Sequence, residues 1–189
     1  MTVFFARGLT VLYAVAAVWL SLYSLQALLF CLVFWRRAPA PPTPASPASW
    51  PTVTVQLPIF NELHVGRRLL AAVAALDYPR QALHIQVLDD STDETKALLE
   101  AAVRRVQARG VKVTYLHRAD RRGYKAGALA AGLEQTRADF VAIFDADVVL
   151  PRDFLKRALP FLLADPDAGF VQARWAHLKA NAPQPTIGT

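Results

Sequence analysis

Residues 9–35, LTVLYAVAAVWLSLYSLQALLFCLVFW, contain no charged side chain. As a helix rising 1.5 Å per residue the run reaches about 40 Å, enough to cross a hydrocarbon layer of ~30 Å with some tilt. A cleaved signal peptide has an apolar core of only about 7 to 15 residues, so Ala38-Pro39-Ala40, which loosely resembles a cleavage site, is the weaker reading. Trp35 stands where an interfacial aromatic anchor is expected, and Arg36 and Arg37 follow at once. Basic residues at that end favour keeping it on the cytoplasmic side, with Arg7 and the N-terminus competing weakly. The expectation is a short flank (1–8), one transmembrane helix (9–35) with its N-terminus outside, and the remainder inside, at an inner or plasma membrane. The run also accounts for a composition that is 54% hydrophobic, an excess that is local.

The net charge of +6 does not mark a nucleic-acid-binding protein, because the basic residues are scattered (Arg67/Arg68, Arg104/Arg105, Arg121/Arg122). A membrane-proximal domain gains from a mild positive bias, and an anionic substrate profits from it too. The single cysteine, Cys31, lies inside the apolar run, which excludes a disulfide framework and a cysteine metal cluster.

Residues 36–51 form a Pro/Ala/Ser-rich linker that cannot build a core. From 52 the pattern becomes regular. Val53 to Leu57 reads as a strand ending at Pro58, and a helix is expected from Glu62, capped by Asn61 and stopped by Pro79. HIQVLDD gives a strand over 84–88 running into Asp89 and Asp90. Ser91 and Glu94 then suit a capping box for a helix that ends at Gly110. A third strand is expected at 111–116, a third helix from GYKAGALAAGLEQT, and a fourth, buried strand over Val141 to Phe144. Another helix is expected from Pro151 to about Ala164, and GFVQARW is a candidate fifth strand. Such alternation implies an α/β domain over 52–178: a mainly parallel sheet with helices on both faces, followed by an irregular tail (179–189).

In open parallel sheets, ligands bind outside the carboxyl ends of the strands. Asn61/Glu62, Asp89/Asp90 and Asp145/Asp147 all fall there. Asp145 and Asp147, two apart in extended chain, point to one face. At roughly 6 Å and an effective dielectric near 20 they repel by about 2 to 3 kcal/mol. A divalent cation would offset this, since Mg²⁺ is typically held by one or two carboxylates plus substrate phosphates. Plain solvation, or one acid capping the helix after Pro151, is the alternative. Asp89-Asp90 equally suits a helix start with acids favoured by the dipole. Lys125 opens a helix, where the dipole disfavours a cation, so it looks placed for an anion between Gly123 and Gly127; a surface lysine is the bland reading. His64, His84, His117 and His177 have no zinc-site spacing, and the dinucleotide and P-loop glycine patterns are missing.

VTVQLPIFNE, LDYP, IQVLDDSTDET, HRADRRGYKAGALAAGL and FVAIFDADVV together resemble the donor-binding half of a processive family 2 glycosyltransferase. The likeness is to cellulose, mannan and glucomannan synthase-like enzymes, with ceramide glucosyltransferases as relatives. It implies a GT-A (Rossmann-like) fold and an inverting, metal-dependent transfer from a nucleotide-diphosphate sugar such as UDP-glucose or GDP-mannose to a glycan or lipid acceptor. By that resemblance Pro58, Asn61, Glu62, Asp89 and Asp90 serve the nucleoside, Lys125 faces the diphosphate or base, and Asp145 and Asp147 hold Mg²⁺ or Mn²⁺.

The family's general-base aspartate and its Gln-x-x-Arg-Trp motif are not found. QARW (Gln172 to Trp175) has one intervening residue where that motif has two and comes too early. A truncated chain is therefore expected, with a nucleotide-sugar-binding domain that transfers nothing as the alternative function. A haloacid-type phosphatase also uses Asp-x-Asp after an apolar strand, but on its first core strand. A receiver domain orders acidic pair, Asp, Lys, whereas here the lysine precedes the aspartate.

Overall fold

The computed structural model describes residues 2–36 and 44–173, and the chain divides into two compact units, 1–42 and 43–189. The first is a single helix, α1 (Thr2–Trp35). Its stretch Phe4–Trp35 is long and apolar enough to cross a membrane, with a mean hydropathy of 2.0, and none of it is buried.

The second unit runs β1 (Val53–Ile59), α2 (Gly66–Ala74), a 3-10 turn (Arg80–Ala82), β2 (Leu83–Asp89), α3 (Thr95–Gln107), β3 (Val113–His117), α4 (Tyr124–Glu134), β4 (Phe140–Ile143) and α5 (Phe154–Ala164). The four strands are all parallel, in the order β3-β2-β1-β4, as the strand–helix alternation requires. Val53, Val55, Leu57 and Ile59 of β1 and Ile85 and Val87 of β2 point to one face. There they form the core with Leu69, Leu70 and Val73 of α2 and Leu99, Val103 and Val106 of α3. Thr54, Gln56 and Gln86 point to the other face, where α4 lies. These residues are almost fully buried, and Gln56 Nε2 donates to Gln86 Oε1 at 3.0 Å. Gly132 permits that contact, because a Cβ there would stand 2.6 Å from Gln56 Nε2 and 2.9 Å from Gln86 Oε1. A bulkier residue would lift α4 off the sheet.

Several local expectations are corrected. The first helix of this unit runs only from Gly66 to Ala74, so it ends well before Pro79, and Asn61 does not cap it: Asn61 has φ of 53°, a left-handed position that asparagine tolerates. Its Oδ1 instead accepts the Thr92 N–H at 3.0 Å, while its own N–H donates to Ser91 Oγ at 2.9 Å. Ser91 is thereby spent on the neighbouring loop, so no capping box forms. The Asp93 carboxylate accepts the Thr95 N–H at the head of α3 instead. Val141 and Ile143 are 36% and 49% exposed, because β4 pairs only with β1 among the described strands and α4 covers β1 and β2. α5 begins at Phe154, three residues after Pro151. Residues 169–173 are irregular rather than a fifth strand, and Arg174 and Trp175 lie outside the described residues.

Candidate active site: a cleft at the carboxyl ends of the strands

Side chains alternate along a strand, and this alternation sorts the residues at the strand ends. On β1, Leu57 and Ile59 enter the core, leaving Pro58 and Phe60 on the α4 face. β4 ends at Ile143, and the two acids stand in the irregular stretch and turn after it rather than in the extended chain expected; there Phe144 and Ala146 are buried while Asp145 and Asp147 are exposed. On β2, Val87 belongs to the core, so Asp89 points inward and Asp90 points to the α4 side. The result is a cleft of ≈ 380 Å³ whose polar lining is Glu62, Asp90, Arg121, Lys125, Asp145 and Asp147, with Pro58 and Phe60 among its apolar walls.

Six of the eight residues singled out in the sequence thus come together: Pro58, Glu62, Asp90, Lys125, Asp145 and Asp147. Asp89 and Asn61 do not line the cleft. Asp89 is fully buried. It accepts the Ser91 N–H at 2.9 Å and the Tyr115 hydroxyl at 2.5 Å, with His117 Nδ1 3.5 Å away. Burial, and then this carboxylate, push the Tyr115 hydroxyl well above its ordinary pKa. Tyr115 therefore remains a donor to Asp89 throughout the physiological range. Asn61 ties the loop after β1 to the loop after β2, and Asp89 fastens that second loop to β3, so both set where their neighbours stand.

Two arginines complete the arrangement. Arg118 Nε and one terminal nitrogen donate to both oxygens of Asp90, at 2.8 and 2.6 Å, the bidentate geometry in which guanidinium and carboxylate bind best. The same guanidinium donates to the carbonyls of Arg122 and Tyr124 at 3.1 Å each. The bond to Asp90 raises the Arg118 pKa further. Arg118 therefore binds the end of β2 to the loop that leads into α4. That loop is left-handed at Gly123 (φ 73°) and Tyr124 (φ 51°). Gly127 lies so close beneath it that a Cβ would meet the Arg122 carbonyl oxygen at 2.1 Å. Gly127 serves here as a contact that admits no side chain. Arg121, projecting from the same loop, lays its guanidinium 3.3 Å from the centre of the Phe60 ring, a cation–π contact. Sequence reasoning misses both arginines, since each is recognised only through a partner distant along the chain.

Lys125, in the first turn of α4, is ion-paired with Asp145, and both side chains are half exposed. Asp147 has no ion-pair partner among the described residues. The cleft thus brings acidic side chains (Glu62, Asp90, Asp145, Asp147) together with basic ones (Arg121, Lys125). The donor set fits a hard divalent cation bound through two carboxylates. No third His, Cys, Asp or Glu converges with them among the described residues, so a metal there would take its other ligands from phosphate oxygens and water, the usual situation for Mg²⁺.

The profile of Glycosyl transferase family 2 matches residues 54–186. Among curated relatives, a probable glucomannan 4-beta-mannosyltransferase 2 of Oryza sativa subsp. japonica is 42% identical over 155 residues. That alignment takes in 78% of this chain and 27% of the relative. Glucomannan 4-beta-mannosyltransferase 2 of Arabidopsis thaliana is 42% identical over 138 residues, 71% of this chain and 26% of the relative. The chain therefore spans about a quarter of the length of these relatives. Among solved structures, the mannosyltransferase PcManGT of Pyrobaculum calidifontis, in complex with GDP-Man and Mn²⁺, superposes with a TM-score of 0.62 at 35% identity, covering 76% of this chain and 43% of that one. The parallel sheet, the acids at its carboxyl ends and the extent of the match agree with the expected GT-A arrangement, and this chain belongs to Glycosyl transferase family 2.

Proposed function

We propose that this chain carries the donor-binding part of a membrane-anchored, metal-dependent, inverting glycosyltransferase that takes a sugar from a nucleoside diphosphate. The observation that carries the reading is the convergence of Asp145, Asp147, Lys125 and Arg121 on one cleft at the carboxyl ends of β1, β2 and β4. Such a cleft suits a molecule with a diphosphate in the middle and a planar base at one end. Asp145 and Asp147 would hold Mg²⁺ or Mn²⁺, which when bound neutralises charge on the diphosphate as it leaves. Lys125 and Arg121 supply positive charge within the same cleft. Pro58, Phe60, Glu62 and Asp90 shape the rest of it, and Asn61 and Asp89 act through the loops they brace.

GDP-mannose is the first donor to test and UDP-glucose the second. The relatives' names specify mannosyl transfer to glucomannan, and the solved neighbour holds GDP-Man and Mn²⁺. The product would be a β-linked polysaccharide or glycolipid, with α1 anchoring the domain on the cytoplasmic side of a cell membrane. Calorimetric titration of the purified chain with both donors, with Mn²⁺ and again with EDTA, tests the reading. Binding that needs the metal supports it, and binding indifferent to chelator contradicts it. The second reading is a domain that binds donor without transferring it. Radiolabelled sugar incorporated by the chain alone would exclude that second reading.

A further inference from the structure

The Asp145 carboxylate already has a cation. Lys125 Nζ is paired with its Oδ1, so the repulsion between Asp145 and Asp147 is offset from within the protein. A divalent cation coordinated by both aspartates would be pressed against that ammonium. We propose that Lys125 is an internal counterion that competes with the metal for Asp145, and that it releases this carboxylate when a diphosphate takes the ammonium instead. Metal and nucleotide then bind cooperatively, each improving the site for the other. This inference rests on the donor-site reading above and concerns how that site is controlled.

Four features of the structure support it. Lys125 stands in the first turn of α4, where the helix dipole disfavours a cation, so Asp145 is what fixes the ammonium in place. Both partners are half exposed, so the four-carbon stem can swing without leaving a buried charge behind. The backbone beneath cannot follow, because Gly127 and Gly132 leave no clearance between α4 and the loop or the sheet. The other cation of the cleft, Arg121, is stacked on Phe60. Among the described residues, Lys125 is thus the one basic residue lining the cleft whose partner is a candidate metal ligand.

The test is Mn²⁺ binding to the purified full chain, followed by calorimetry and by the electron paramagnetic resonance of free Mn²⁺, with and without GDP. In the wild-type chain, Mn²⁺ alone binds weakly and GDP strengthens it at least tenfold. Linkage requires Mn²⁺ to strengthen GDP by the same factor. In Lys125→Met, Mn²⁺ alone binds about fivefold more tightly, the most an exposed ion pair is worth. GDP binds that variant more weakly, and the coupling factor falls by about the same fivefold, leaving the share that direct metal–phosphate contact supplies. Lys125→Arg keeps the charge and therefore keeps Mn²⁺ binding weak in the absence of GDP. A residue with a merely structural role would weaken both ligands together. Mn²⁺ affinity that is unchanged or reduced in Lys125→Met, while GDP still recruits Mn²⁺ to both proteins, overturns this inference and leaves the donor site standing. Mn²⁺ that binds neither protein even with GDP overturns the metal site and the inference together.

Discussion

At the end of β2 two carboxylates are adjacent in sequence, at the end of β4 two are separated by Ala146, and this spacing decides how many of them reach the cleft. Adjacent residues in extended chain face opposite ways. Asp89 is accordingly taken into the protein, where Tyr115 and the Ser91 N–H bind it, and only Asp90 turns to the α4 side, already paired with Arg118. Asp145 and Asp147 both reach the cleft from the turn that follows β4, and the residue between them is a small apolar one that fills the core. The β2 pair is thus largely consumed in local bonds, whereas Asp147 has no ion-pair partner among the described residues and Asp145 is held by a half-exposed lysine. A tandem pair and an alternate pair of acids are different devices, although both read simply as negative charge at a strand end.

The comparison breaks most severely if the β4 end is made to resemble the β2 end. Ala146→Asp points a carboxylate into the core, without the hydroxyl and N–H donors that Asp89 enjoys. It should cost about 3 to 5 kcal/mol, as an uncompensated buried charge does, read as a lowered midpoint in urea. Next is Asp89→Ala, which leaves the Tyr115 hydroxyl and the Ser91 N–H without their acceptor. A loss of about 2 to 3 kcal/mol is expected, and nucleotide binding should weaken only as far as the loops relax. Asp147→Ala should do the opposite. Stability stays within about 0.5 kcal/mol, as for exposed sites generally, while Mn²⁺-dependent GDP binding drops roughly a hundredfold, close to 2.7 kcal/mol.

The smallest effect is expected at a third acid, Asp139, just before β4. The Thr52 hydroxyl and N–H donate to it and hold its carboxyl below the ordinary aspartate range. Because the folded-state pKa is the lower one, its contribution is present above the unfolded value and is lost as pH falls through the folded value. Asp139→Asn should therefore slightly flatten the loss of stability on acidification, read from thermal midpoints between about pH 6 and pH 3, and should leave nucleotide binding unchanged.

The strand–helix alternation, and the placing of Asp145, Asp147 and Lys125 at one end of the sheet, are legible in the sequence because they depend on period-2 and helical spacing alone. The opposite orientation of Asp89 and Asp90 follows from alternation along HIQVLDD, but the family resemblance, which puts both on the nucleoside, hides it. With Ile85 and Val87 in the core, Asp89 is their continuation. Other features are out of reach for physical reasons. Asn61 reads as a cap until the Ser91 loop, 30 residues on, claims its backbone. Arg118 and Arg121 read as solvated charge because Asp90 and Phe60 meet them only in the folded sheet. The exposure of Val141 and Ile143 follows from β4 lying at the edge of the described sheet, a fact of strand order that hydropathy does not encode.

The central claim is that Asp145 and Asp147 hold a metal ion against a diphosphate gripped by the basic residues of the same cleft. Phosphorus NMR of GDP bound to the full chain, titrated with substoichiometric Mn²⁺, tests it at the atoms concerned. The account predicts strong paramagnetic broadening of both phosphate resonances in the wild-type chain and its loss in Asp145→Asn/Asp147→Asn with the fold intact. Equal broadening in the double variant, or none in the wild-type chain while GDP remains bound, would contradict it.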